Sequence, residues 1–376
     1  MKKILVVNNN LDTGGIQKSL VNLLQGIHGQ YDVTLLLFSK SGALLRDVPE
    51  DVKIITPRSC YRMLGLTKSE LKAYPALFLL KAFLMKYAKL VSRRSAMRLL
   101  GLFQKRISGY DAVISYTHFS DHTYFWNGSG DFVLDKTNSP NKICLIHCDY
   151  LNSGCMTEVN NRAYEEFDRI ACCSDSVRDR FIQGTGMDPN KVYTLRNFYD
   201  PNIGERAQES PFCYDDHYVN LVSVARLSGE KGIDRAIEAL HNSGRRDIRY
   251  YVIGDGPKRE ILKDMVETYH LEEQVFFLGE QQNPYRYMLH ADYLLVPSRH
   301  EAAPMVFDEA SVLGLRIVST NTTSAAEMVG GDGGIVCENS PEGITEALVS
   351  LHKDSGKKRA AKSNQLQREQ FAGLIG

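Results

Sequence analysis

From residue 219 onward the chain alternates short apolar runs with longer stretches of helical apolar spacing. NLVSVA leads to IDRAIEALHNSG, RYYVIG to KREILKDMVETY, QVFFLG to NPYRYMLHA, and DYLLVPS to PMVFDEASVLG, before RIVST follows. Such short, continuously apolar runs suit strands buried on both faces, and the stretches between them suit amphipathic helices. Strands joined by crossover helices pair in parallel, so this alternation confines residues 219–356 to an α/β doubly wound sheet.

The first half carries the same rhythm less regularly. KILVV, GGIQKSLVNLLQGI and DVTLLLF form one strand–helix–strand unit, DAVISY and KICLIH add buried parallel strands, and SDSVRDRFIQG opens on a capping serine and ends on glycine. The polar stretch NFYDPNIGERAQESPFCYDDHY interrupts the alternation. The expected organisation is a first Rossmann-like domain over 1–205, a linker over 206–218, a second such domain over 219–356 and a closing segment over 357–376. A chain of 376 residues is too long for one compact core and fits two domains with a cleft between them. No repeat of solenoid period is visible.

A hydrophobic content of 43%, a charged content of 24% and one tryptophan exclude disordered and collagenous classes. The eight cysteines include no CxxC pair, and MKKILVVNNN has too short an apolar stretch for a signal peptide, so a reducing cytoplasm is the expected compartment. Cys144 and Cys148 flank His147, but their spacing is not that of a zinc site, and no metal is assigned. The net charge of zero conceals an imbalance. Residues 1–210 carry 27 Lys/Arg against 21 Asp/Glu, and the segment 58–106 holds twelve Lys/Arg with Glu70 as its one acid.

Open α/β sheets bind ligands beyond the carboxyl ends of their strands, so the loops there are the candidates. In VSVARLSGEKGIDRA, Arg226 ends a strand and Lys231 precedes a helix, which aims two cations at the crevice. A guanidinium fork and a movable ammonium together suit a diphosphate without a divalent ion, and the chain has no D-x-D pair to hold Mg²⁺; solvated surface cations are the other reading. In EAAPMVFDEA, Pro304 fits the first helical position and Ala303 offers no cap, so the amides of Met305 and Val306 are free for phosphate or sugar oxygens. Glu309, one turn on, leans back toward that start and suits a ribose diol, while Glu301 in the loop suits the transferred group. An acid that merely favours its helix N-terminus is the plain alternative. In the first half, Gly14 and Gly15 permit close backbone approach at a helix start, and His147 ends a strand facing the same crevice as a donor to a sugar hydroxyl or to developing charge.

Taken together, ARLSGEKG, VIGDGP, FLGEQQNPY and SRHEAAPMVFDEASVLGLRIVST resemble, in order and spacing, the second domain of glycosyltransferase family 4. TGGIQKSL and LIHCDY extend the resemblance into the first half. It implies a GT-B fold of two Rossmann-like domains, retaining transfer from a nucleotide-activated sugar, and a last helix that crosses back to the first domain. By that resemblance Arg226 and Lys231 hold the donor diphosphate, Glu309 the ribose and Glu301 the donor sugar, with Gly15 and His147 closing the site. The family commonly has glycine and a bulky residue after the first glutamate, where this chain has Ala302 and Ala303. Retaining members have no obvious side-chain nucleophile, so no catalytic base is named and no cofactor is expected.

The basic segment is interrupted by charges too often to span a bilayer, but Lys86, Lys89 and Arg93 are expected on one helical face suited to an anionic membrane. No nucleic-acid recognition module accompanies it. The expected protein is a cytoplasmic, membrane-peripheral hexosyltransferase of polysaccharide or glycoconjugate synthesis with a lipid-linked acceptor. The alternatives are a nucleotide-sugar epimerase and a non-catalytic glycan-binding or partner subunit.

Overall fold

The computed structural model describes residues 1–120, 127–210, 212–329, 334–353 and 363–376. They form two units, Met1–Tyr199 with Asn364–Gly376, and Asp200–Ser363. The strands of the first unit are β1 (Lys3–Asn8), β2 (Asp32–Leu37), β3 (Lys53–Ile55), β4 (Ile107–Ser108), β5 (Ala112–Ser115), β6 (Thr137–Asn138), β7 (Lys142–Ile146), β8 (Arg169–Cys172) and β9 (Val192–Thr194). Seven of them make one parallel sheet in the order β3-β2-β1-β5-β7-β8-β9, and β4 pairs with β6 separately. All residues of β1 after Lys3 are buried, as a strand covered on both faces requires. The order reverses between β1 and β5, which pair from Ile4 with Ala112 to Val7 with Ser115. Loops leaving these two strands diverge to opposite faces and open a crevice at their carboxyl ends.

The second unit repeats the plan with β10 (Val219–Val224), β11 (Ile248–Ile253), β12 (Val275–Gly279), β13 (Tyr293–Val296), β14 (Arg316–Thr320) and β15 (Ile335–Cys337). Its parallel order is β12-β11-β10-β13-β14-β15, so the reversal falls between β10 and β13. Leu221 and Val222 pair there with Tyr293 and Leu294.

The C-terminal helix, Gln365–Ile375, belongs to the first unit and buries Phe371, Leu374 and Ile375 in its core. Its last carbonyls have no partner within the helix; Arg169 Nη1 donates to the carbonyl of Leu374 at 2.7 Å, and Asn141 Nδ2 to those of Leu374 and Ile375 at 3.3 Å. Arg368 Nε donates to the carbonyl of Gly26 at 3.0 Å. Residues 357–362 of the expected closing segment lie outside the described residues.

Two expectations change. The division falls after Tyr199 rather than after residue 205, and the stretch 206–218 is not a bare connection. Ile203–Gln208 is a helix, and the rings of Phe212 and Tyr214 pack with Tyr251 and Tyr287. Tyr214 donates its hydroxyl hydrogen to the Tyr287 carbonyl at 2.9 Å. These aromatics are sparse enough in sequence to read as a polar linker, yet they converge on one side of β11.

The basic segment forms helices Pro75–Leu90 and Arg93–Leu100. Arg93 does not share an outward face with Lys86 and Lys89, because the first helix ends before it. Arg93 is buried, with Nη2 2.8 Å from Asp131 Oδ2 and 2.7 Å from the Asn127 carbonyl it donates to. Lys81 is also buried and donates to the Met63 carbonyl at 2.9 Å. Burial pushes the Asp131 carboxyl up against the opposing pull of Arg93. Lys86 and Lys89 remain exposed, beside Leu79 at 68% and Phe83 at 57% exposure. Among the described residues no helix is long and apolar enough to cross a membrane.

Candidate active site

In the second unit the loop after β10 is pressed between its neighbours. Gly232 opens helix Ile233–Ser243 in a left-handed conformation at φ 66°, and a Cβ there would stand 2.0 Å from the Pro297 carbonyl oxygen. Gly254 after β11 has φ 134°, and its Cβ would stand 1.9 Å from the Ala225 carbonyl oxygen. Only glycine fits at either point, so backbone packing itself fixes the 225–232 loop against the carboxyl ends of β11 and β13.

That packing delivers Lys231 to the loop after β13. Its Nζ lies 2.6 Å from Glu301 Oε1, and Ser298 Oγ donates to the same oxygen at 2.9 Å. The glutamate is mostly buried, the lysine less so. Both contacts fall on Oε1; among the described residues Oε2 makes no hydrogen bond. Arg226 stands exposed at the start of the same loop.

Arg299 braces the arrangement. It grips Asp234 with two hydrogen bonds of 2.9 and 2.7 Å, donates to the Gly229 carbonyl at 2.7 Å, and its amide donates to the Glu230 carbonyl at 2.8 Å. Burial alone would raise the Asp234 carboxyl, but the hydrogen bonds and charge of Arg299 outweigh it and hold the group below its ordinary range.

Helix Met305–Leu313 starts beside this pair. Pro304 sits one position earlier than expected: it is the N-cap, with ψ 126°, not the first helical residue. A proline has no side chain that accepts a hydrogen bond, and the helix has no side-chain cap. The amides of Met305 and Val306 therefore lead the helix, as the sequence suggests. Glu309 is 3% exposed on the second turn, and the Tyr285 hydroxyl donates to its Oε1 at 3.4 Å.

In the first unit helix Gly15–Ile27 also starts without a side-chain cap, with Gly14 extended at φ 176°. A Cβ on Gly14 would meet Gln17 Oε1 at 2.5 Å, whereas one on Gly15 would meet nothing within 4 Å. His147 follows β7. Its ring lies 5.0 Å from that of Tyr116, and its Nε2 is shielded from solvent with no hydrogen-bond partner among the described residues. Burial, with His118 nearby, pushes the His147 pKa down to about 3, so the imidazole is neutral at ordinary pH. Tyr116 in turn shares a hydrogen bond of 2.9 Å with Ser19, whose Oγ donates to Asn197 Oδ1 at 2.8 Å.

The expected residues thus gather at the carboxyl ends of two sheets: Arg226, Lys231, Glu301, Met305, Val306 and Glu309 in the second unit, Gly14, Gly15 and His147 in the first. Sequence reasoning did not find Ser298, Arg299 or Tyr285. Arg299 immediately precedes the His300–Glu301 pair and Asp234 closely follows Lys231, but their partnership becomes visible only once β10 and β13 are known to be neighbours.

Residues 214–368 match the family model described as glycosyl transferases group 1. This part of the chain, most of the second unit, is similar to that family. The glycosyl transferases group 1 region contains every site residue assigned to the second unit. The phosphatidylinositol N-acetylglucosaminyltransferase gpi3 subunit of Schizosaccharomyces pombe is 26% identical over 218 residues, which is 57% of this chain and 42% of that protein. The N-acetylgalactosamine-N,N'-diacetylbacillosaminyl-diphospho-undecaprenol 4-alpha-N-acetylgalactosaminyltransferase of Campylobacter jejuni is 26% identical over 204 residues, 53% of this chain and 55% of that one. The chain thus spans about half the length of the relatives it matches. The solved structure of Anabaena HepE in complex with UDP and glucose covers 100% of this chain and 93% of its own, at 17% identity and a TM-score of 0.63. That likeness shows the fold, the two Rossmann-like domains of the GT-B class.

Proposed function

We propose that the chain is a retaining glycosyltransferase that moves a sugar from a nucleoside diphosphate donor to a glycan acceptor, a lipid-linked one in polysaccharide or glycoconjugate synthesis. The observation that carries this reading is the Lys231–Glu301 pair beside the uncapped start of helix Met305–Leu313, at the reversal point of the second sheet. Arg226 and Lys231 take the diphosphate, and their charge together with the amides of Met305 and Val306 stabilises its departure without a metal or other cofactor. Glu301, steadied by Lys231 and Ser298, presents Oε2 to the donor sugar. Glu309 accepts hydrogen bonds from the ribose. In the first unit the bare backbone at Gly15 and the unpartnered Nε2 of His147 serve a substrate hydroxyl. The relative from C. jejuni, named for a diphospho-undecaprenol substrate, and the HepE complex with UDP and glucose support the acceptor and donor classes.

Thermal unfolding with UDP, GDP, ADP and CMP tests this reading, since a ligand of the folded state stabilises it by about 2.7 kcal/mol at a hundred times its Kd. One nucleoside diphosphate is expected to raise the midpoint, and Glu309→Ala to shrink that rise by weakening the nucleotide grip. No shift with any of the four favours the non-catalytic alternative, and donor turnover without an acceptor favours the epimerase.

The same reading places the chain on the cytoplasmic face of an anionic membrane. Lys86 and Lys89 flank exposed Leu79, Phe83 and Leu90 on one helix, which couples charge attraction to shallow apolar insertion. Co-sedimentation is expected with vesicles containing phosphatidylglycerol and not with pure phosphatidylcholine. The pair Lys86→Gln and Lys89→Gln is expected to weaken it about 30-fold, at about 1 kcal/mol per charge; binding that ignores both lipid charge and these lysines overturns the assignment.

A further inference from the structure

Outside the donor site, the first unit gathers three soft and borderline donors at the carboxyl edge of its sheet. His118 lies on the loop after β5, and Cys148 and Cys155 lie on the loop after β7. One ligand atom from each stands within 4.8 Å of the others. Cys155 is buried, His118 and Cys148 half-buried, and neither cysteine is in a disulfide. Among the described residues His118 Nδ1 is shielded from solvent and meets no hydrogen-bond partner, while the His118 side chain lies close enough to the Cys155 thiol to lower its pKa against the effect of burial.

We infer that His118, Cys148 and Cys155 form a binding site for a thiophilic divalent cation, zinc by its donor set. A tetrahedral ion with bonds of about 2.0–2.3 Å holds such donors about 3.5–3.8 Å apart, which side-chain rotation can reach from the observed cluster. Two thiolates with an imidazole select zinc over magnesium or calcium, which prefer oxygen. Binding forms two S–Zn bonds and one N–Zn bond and releases the two thiol protons to solvent. No electron moves, and the two thiolates cancel the charge of the ion.

The surrounding bonds already bring the two loops together. Asn160 Nδ2 donates to the carbonyls of both Ser120 and Cys155, at 3.0 and 2.8 Å. The Phe119 amide donates to the Tyr164 hydroxyl at 2.9 Å. The ion would clamp the loop after β5 to the one that begins with His147, and so position His147 through its neighbour Cys148. No metal is assigned from the sequence because the Cys144 and Cys148 pairing fits no zinc spacing; the observed set leaves out Cys144, which is buried with its Sγ donating to the Thr117 carbonyl, and adds Cys155 and, from a second loop, His118. The site does not depend on the donor reading.

The test uses the full chain, reduced and stripped with chelator. Titration with Co²⁺ is expected to give thiolate-to-cobalt charge-transfer and tetrahedral visible bands that saturate at one equivalent and vanish on adding Zn²⁺. Cys148→Ser, Cys155→Ser and His118→Ala are each expected to weaken binding at least about tenfold, the upper range for lesser outer-shell changes being about a hundredfold. Cys213→Ser, an exposed cysteine elsewhere, is expected to change nothing. A measurement on the unaltered protein guards against misfolded variants: one equivalent of Zn²⁺ should protect Cys148 and Cys155 from iodoacetamide, read by mass spectrometry. Absence of the charge-transfer band, a band that survives both serine variants, or alkylation of the two cysteines at an unchanged rate overturns the site.

Discussion

Lys231→Ala is expected to lower kcat about 10²–10³-fold, the usual loss when one group that stabilises developing charge is removed. On the proposed reading the lysine's positive charge matters most when the diphosphate departs, so the loss belongs in kcat and in kcat/KM alike rather than in KM alone. The structure adds a second consequence. Lys231 Nζ is 2.6 Å from Glu301 Oε1, so its removal also leaves a mostly buried carboxylate with only the Ser298 hydroxyl. The two residues then act as a unit, and Glu301→Gln in the Lys231→Ala background is expected to cost much less than Glu301→Gln alone. Full additivity in that double-mutant cycle would show that the pair is not a functional unit. Wild-type kinetics in Lys231→Ala would remove the diphosphate assignment altogether.

The second large effect is on folding. Arg93→Ala is expected to destabilise the first unit by about 3–5 kcal/mol, because it strands Asp131 as a buried charge. For a unit of this size that lowers the unfolding midpoint by roughly 10 °C. The pH dependence has a defined sign. Burial holds the Asp131 carboxyl above its ordinary range even with Arg93 beside it, and removing the cation raises it further. A carboxyl with a raised folded pKa favours folding where it is protonated and disfavours it as pH climbs through the folded value. The deficit of Arg93→Ala should therefore be smaller near about pH 4 than near about pH 7. A variant with unchanged stability but lost vesicle binding would return Arg93 to the membrane face on which the sequence pattern places it.

Arg93 shows why one part of the chain misleads when only its sequence is read. Its spacing from Lys86 and Lys89 suits one helical stripe, but that stripe assumes a continuous helix. The chain breaks at Val91 and Ser92, and Ser92 caps a new helix by accepting from the Ser95 amide. Residues 206–218 mislead in the opposite sense: a polar average conceals Phe212 and Tyr214, whose partners Tyr251 and Tyr287 lie far along the chain.

The parallel sheets and the loops at their carboxyl ends were legible because they depend on local pattern. A strand buried on both faces must be apolar along its length, a helix laid on it must be apolar on one side, and a loop between them must hold its polar groups at the strand's carboxyl end. That logic reaches Arg226, Lys231, Glu301, Glu309 and His147 one residue at a time. Tertiary structure alone decided which of them touch. Lys231 meets Glu301 across 70 residues, Arg299 braces Asp234 across 65, and His118 approaches two cysteines because β5 and β7 are neighbours. Hydrogen bonds, ion pairs and metal coordination act over a few ångströms, and strand order, which no local periodicity encodes, determines what comes within that range.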